Sequence, residues 1–262
     1  MDLELHQRTA VVLGASRGLG KAIAASLAAE GANVLLTARS GDALEGAAAE
    51  LDALGSGRIG YHAADLAEPG TPAAIHAAAE KQLGPVDILV NNGGGPPPGP
   101  IADTERATWD EQFRSMVAPL FELAGLVLPG MRERGWGRIL TVVSSGVVQP
   151  IPSLGISNAL RSSIVGWSKS LANEVGGDGV TVNCLAPGRI ATDRTASLDA
   201  KAAERQGISV ADVERNSRAL IPVGRYGDPR EFGDTAAFLL SPRGSYITGS
   251  VVRVDGGLVK SV

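Results

Sequence analysis

Cysteine is almost missing from this chain: Cys184 stands alone among 262 residues. An internal disulfide and a multi-cysteine metal site are both excluded, and Cys184 itself is expected to be a small buried residue. Histidine is nearly as scarce, with His6, His62 and His76 isolated from one another and without the spacing of a metal centre; no metal is expected. No uninterrupted apolar run reaches the ~18 residues of a membrane span, so no membrane association is expected. A basic start followed by a cleavable apolar stretch is also lacking. MDLELHQRTAVVLG opens with acidic residues and passes straight into a strand, which points to a cytoplasmic location. The net charge of −4, with dispersed basic residues, gives no electrostatic reason to expect nucleic acid. Phenols are as scarce as imidazoles: Tyr61, Tyr226 and Tyr246 are the only tyrosines, leaving none between residues 62 and 225.

What the chain does have is alternation. Apolar, β-branched runs (TAVVLG, NVLLTA, RIGYHAA, VDILVNN, GRILTVVSS, GVTVNCLAPG and SVVRVDGG) are separated by alanine-rich stretches such as KAIAASLAAEG, whose apolar residues follow a 3.6 period. Strands alternating with helices imply βαβ units and a parallel sheet covered on both faces. The expected fold is α/β, a single doubly wound Rossmann domain over residues 1–262. Its seven-stranded parallel sheet is flanked by helices joined through right-handed crossovers. Two segments interrupt the pattern. GGGPPPGP at 93–100 should be rigid and extended, and a polar, helix-prone stretch at about 193–219 follows the sixth strand, where such a sheet binds its ligand. The second stretch is a candidate substrate lid.

Residues 11–23, VVLGASRGLGKAI, run from the first strand through Gly14, Gly18 and Gly20 into a helix. Glycine lets the backbone turn sharply and approach a ligand closely, while the helix start offers free N–H groups to a pyrophosphate. In a strand–turn–helix context this is a dinucleotide signature. The second strand ends in Ala38, Arg39 and Ser40 rather than the acidic residue that would hold the ribose hydroxyls of NAD. Together with Ser16 and Arg17 in the glycine turn, Arg39 and Ser40 would suit a 2′-phosphate, so NADP(H) is expected in preference to NAD(H).

The spacing G-x-x-x-G-x-G, followed by Asp65-Leu66, Asp87 through Asn91-Asn92-Gly93-Gly94, Pro187-Gly188 and the closing PVGRYGDPREFGDTAAFLLSPRGSYITGSVVRVDGG, resembles the short-chain dehydrogenase/reductase family over essentially the whole chain, with a likeness to 3-oxoacyl-ACP reductases. The resemblance implies a cofactor lined by Gly14, Ser16, Arg17, Gly18, Leu19 and Gly20, with Asp65 and Leu66 at the adenine. Asn91 and Gly93 would lie along the ribose and nicotinamide side, Pro187 and Gly188 after the sixth strand, and Ile190 and Thr192 at the carboxamide. It also implies a homotetramer or dimer acting on a small-molecule carbonyl or alcohol.

The same resemblance exposes a departure. The family's catalytic set is Asn-Ser-Tyr-Lys, in which the tyrosine moves the substrate proton and the lysine lowers its pKa and holds the nicotinamide ribose. Continuation from GRILTVVSS puts the serine at Ser144, and its usual spacing lands the tyrosine on Ser157. The helix SSIVGWSKSLANE gives the same register from the other side and assigns the lysine to Arg161; the asparagine position holds Met116. Pro119 should bend that helix and remove a donor. A serine hydroxyl is a poor general acid near neutrality. Arg161, four residues along the same helix face, can hold ribose hydroxyls or an oxyanion but cannot shuttle a proton.

The expected function is therefore an NADP(H)-dependent oxidoreductase working through Ser144, Ser157 and Arg161, with the proton coming from water or the substrate. Two alternatives stay open: a catalytically degenerate NADP(H)-binding protein serving as sensor or structural subunit, and a non-redox enzyme on the same scaffold. Arg189, Asp193 and Arg194 lie where a lid could bring charge toward a polar or anionic ligand.

Overall fold

The computed structural model describes residues 2–261. Each apolar run read from the sequence forms a strand: β1 (Thr9–Leu13), β2 (Asn33–Ala38), β3 (Ile59–Ala63), β4 (Ile88–Asn91), β5 (Gly137–Val142), β6 (Val180–Pro187) and β7 (Val251–Val254). They pair in the order β3-β2-β1-β4-β5-β6-β7, every neighbour parallel. β1 and β4 are buried throughout, as strands covered on both faces must be. The order reverses between β1 and β4, so their carboxyl ends open a crevice there, the position at which open α/β sheets take their ligands.

Side chains alternate across the pleat and fill two cores. On one face Ala10, Val12, Val34 and Leu36 pack with Ile23 and Leu27 of α1 (Gly18–Ala29), with α2 (Gly41–Asp52) and with Phe232 of α9 (Pro229–Leu240). On the other, Val11, Leu13, Leu89 and Ile139 meet α3 (Thr71–Gln82), α5 (Ala118–Glu133) and α6 (Gly155–Val175). The only cysteine, Cys184, is buried in this second core, where lack of solvation pushes its thiol pKa up.

The bend expected at Pro119 takes a different form. α4 (Arg106–Met116) ends three residues earlier and α5 starts at Ala118, with Val117 between them at φ −116° and ψ −56°. Pro119 falls in the first turn of α5, where its missing N–H would have had no helical partner. The chain thus breaks rather than kinks. The 193–219 stretch forms α7 (Asp193–Gln206) and α8 (Val210–Ala219), capped by Thr192 and Ser209, and lies after β6 beside the carboxyl ends of the sheet.

Candidate active site

The glycines of the turn after β1 are required for two different reasons. Gly14 and Gly18 sit at φ +60° and +58°, the left-handed region that side chains disfavour. Gly20 is needed for contact: a Cβ there would lie 2.2 Å from the Gly14 carbonyl oxygen and 2.7 Å from Asn92 Nδ2. Gly20→Ala is accordingly expected to lower unfolding free energy by about 2 kcal/mol, the usual scale of overpacking against backbone, and to weaken nucleotide binding in parallel. Chemical denaturation and fluorescence titration of the same sample check both.

α1 begins without a side-chain cap, since Arg17 at its N-cap makes no capping hydrogen bond. The first N–H groups of the helix therefore face the crevice with the positive end of its dipole, a cradle whose natural complement is a phosphate. Opposite, the start of α7 comes so close that a Cβ on Gly18 would touch Thr192 at 3.9 Å. Between them lies a cleft of about 340 Å³ lined by Gly18, Lys21, Ala22, Thr192 and Asp193. Arg17 reaches across its mouth to Asp193 at 3.9 Å. Arg17, exposed at the start of α1, lies beside Asp193 of α7, and Arg39 is exposed at the end of β2. Ser40 caps α2 by accepting from Ala43 N, and Ser16 and Leu19 are half-buried in the turn.

Farther along, exposed Asp65 accepts from Ala67 N at 3.0 Å, and Leu66 packs on the second core. Asn91 is fully buried and donates to Thr141 Oγ1 at 3.4 Å; its Oδ1 has no partner. Its neighbour Asn92, which sequence reasoning left without a role, ties the end of β4 to the glycine turn by donating to Leu13 O and Gly14 O. Gly93 is half-buried beyond it. Pro187 ends β6, and Gly188 N donates to Val254 O at 2.9 Å. Ile190 is buried, and Thr192 Oγ1 caps α7.

The four positions singled out for catalysis are chemically unequal. Ser144 is half-buried at the end of β5, and its Oγ accepts from Gly146 N at 3.1 Å, leaving its O–H free to donate. Ser157 is 8% exposed on α6. Met116 belongs to the second apolar core and contributes no polar group. Arg161 alone brings charge: Nη1 donates to Val142 O at 2.8 Å and Nη2 to Gly94 O at 3.1 Å. The guanidinium is thus fixed at the carboxyl ends of both β4 and β5. Burial, helped by nearby Arg194, pulls its pKa down to about 10, so it remains a cation at neutral pH.

No tyrosine compensates for Ser157. Tyr226 donates its hydroxyl to Asp199 Oδ2 of α7 at 2.8 Å, and burial pushes its pKa up, so it holds its proton there. Tyr246 is fully exposed and Tyr61 lies on edge strand β3. Asn158, inside the same SNALR stretch, has a role that sequence reasoning missed: its amide donates to Ile151 O at 3.0 Å and accepts from Ile151 N at 3.4 Å, pinning the 146–151 loop onto α6.

A doubly wound parallel sheet with an uncapped glycine turn at its switch point defines a dinucleotide-binding α/β protein. Comparison narrows the class. Residues 14–259 match the family model described as enoyl-(acyl carrier protein) reductase. The chain is 39% identical over 259 residues to the 3-oxoacyl-[acyl-carrier-protein] reductase FabG of Vibrio cholerae, covering 98% of this chain and 99% of that one. It is 38% identical over 261 residues to FabG of Escherichia coli, with the same coverage. The structure of L-sorbose reductase from Gluconobacter frateurii, complexed with NADPH and L-sorbose, superposes with a TM-score of 0.93 at 33% identity, covering 100% of both chains. The chain belongs to the short-chain dehydrogenase/reductase family, among relatives of the 3-oxoacyl-ACP reductases.

Proposed function

We propose that this protein is an NADP(H)-dependent oxidoreductase that interconverts a small carbonyl compound and its alcohol, with Arg161 replacing the usual proton-moving pair. One observation carries the reading: the Arg161 guanidinium is held by two backbone carbonyls at the ends of β4 and β5, beside the crevice where the family places its nicotinamide. The turn at Gly14–Gly20 and the bare start of α1 suit the pyrophosphate, and Arg39, with no acidic neighbour at the end of β2, suits a 2′-phosphate. The reduced nicotinamide, when bound, supplies the hydride. Arg161 and the free hydroxyl of Ser144 polarise the carbonyl oxygen and stabilise its developing charge, and water delivers the proton to the resulting alkoxide. Ser157 serves as a small spacer for that water, and Met116 keeps the floor of the site dry.

The test is a fluorescence titration with NADPH and NADH. NADPH is expected to bind at least about 10-fold more tightly, and Arg39→Ala to weaken NADPH alone by about 10- to 100-fold, the scale of a charge-assisted phosphate contact. Failure of both nucleotides to bind overturns the assignment. A second reading, a nucleotide-binding protein without turnover, draws support from the apolar Met116 and the missing phenol. It predicts tight NADPH binding with no oxidation of bound NADPH by any carbonyl compound.

A further inference from the structure

The two cations nearest the expected nicotinamide both rest on the glycine run after β4. Arg161, rising from α6, donates to Gly94 O. Arg194, in the first turn of α7, places Nη2 where a Cβ on the next residue, Gly95, would be only 3.2 Å away. Guanidiniums from the sheet side and from the lid therefore converge on Gly94 and Gly95. They are close enough that Arg194 helps to lower the pKa of Arg161.

Two like charges at close range repel, and such pairs normally have carboxylates between them. Elsewhere around the lid they do: Arg189 pairs with Asp199, Arg17 with Asp193, Arg218 with Glu214 and Arg225 with Glu231. Among the described residues neither Arg161 nor Arg194 has a carboxylate within salt-bridge distance. Asp193, the acidic residue next to Arg194, is turned to Arg17. Space is available in front of the pair, since a Cβ added at Gly93 or Gly94 would meet nothing within 4 Å. Arg161 spends two of its five donors on carbonyls and keeps three for a ligand.

We infer that Arg161 and Arg194 together form the subsite for an anionic group on the substrate, a carboxylate placed close to the reacting carbonyl, so that the substrate class is oxo or hydroxy acids. A planar carboxylate can bridge two guanidinium forks and cancel their repulsion. Arg194 then contributes specificity: carried by α7 beside Gly95, it holds the substrate anion from one side, while Arg161, fixed on the sheet side, serves both that anion and the carbonyl oxygen. This assignment rests on the oxidoreductase reading above, because it places the anion next to the hydride-accepting carbon.

Calorimetry with malonate as an unreactive dicarboxylate probe, titrated into the NADPH-loaded protein in phosphate-free buffer, tests it. Malonate is expected to bind, Arg194→Ala to weaken it at least about 10-fold and Arg194→Lys by less, as loss and partial retention of a charge-assisted contact predict. NADPH affinity should change by less than about 2-fold in both variants, because Arg194 is exposed and serves the substrate. Absence of malonate binding, or binding indifferent to Arg194, overturns the inference. Loss of NADPH affinity in Arg194→Ala also overturns it and hands the cation to a phosphate of the dinucleotide. If the unaltered protein fails to bind NADPH yet binds malonate through Arg194, the oxidoreductase reading falls and the anion subsite stands.

Discussion

Arg161→Ala is expected to lower kcat/KM for carbonyl reduction by about 10²- to 10³-fold, the cost of removing one preorganised donor from a developing oxyanion. The size of the effect follows from how the side chain is held. Hydrogen bonds to Val142 O and Gly94 O fix the guanidinium before any ligand arrives, so no reorganisation is needed in the transition state. The loss should fall mainly on kcat, because an interaction that strengthens as charge develops is a transition-state interaction. Arg161→Lys keeps the charge but can satisfy only one carbonyl well, so its activity should lie between the two. NADPH oxidation against a panel of ketones and oxo acids measures all three proteins.

The pH profile adds a readout that a merely structural arginine would not give. A phenol or imidazole acid produces an activity change near its own pKa. Arg161, although pulled down to about 10, keeps its proton throughout the range from about pH 6 to 9, and the rate should be flat there. As pH rises through about 10 the cation is lost and the rate should fall, because the group acts only when charged. A bell centred near neutrality would sink the arginine mechanism and require another acid.

The strands were legible because their signal is local. A β-branched run between turn residues needs no distant partner to be recognised, and all seven lie where the apolar runs predict. The glycine turn was legible for a similar reason: backbone conformation at Gly14 and Gly18 is written in the residue type itself. Contacts between segments far apart in sequence were not. Asn92 reaches back to Leu13 and Gly14, and nothing in NNGG says which of its asparagines turns down into the sheet and which ties two strands together. Likewise, nothing in the sequence around Arg17 says that Asp193, at the start of α7, would lie beside it. Pro119 announced a disturbance correctly, but its placement in a first turn, with the break at Val117, depends on how α4 and α5 pack.

Asp199→Ala is expected to undock α7 at a cost of about 2–4 kcal/mol. Asp199 is 1% exposed and bonded on both oxygens, to Arg189 after β6 and to the Tyr226 hydroxyl before α9. Arg189 and Arg218 also lie over the Tyr226 ring, 5.8 and 5.5 Å from its centre, so the carboxylate joins α7 to both flanking loops and α8 meets the same cluster through Arg218. Arg189 keeps 31% of its side chain exposed, and water can solvate it once the carboxylate is gone, which holds the cost below that of a fully buried pair. Because the sheet cores do not involve Asp199, the loss should be local: faster hydrogen exchange across 193–219, with a smaller shift in global unfolding. Asp199→Asn, which keeps a partner for each neighbour without the charge, should lose about half as much. Arg194 lies five residues before Asp199 on the same helix, so undocking α7 should also loosen the cation that the lid carries. If exchange accelerates while malonate affinity in the NADPH-loaded protein stays unchanged, α7 does not carry the anion contact; a joint loss of both ties the Asp199 latch to substrate recognition through Arg194.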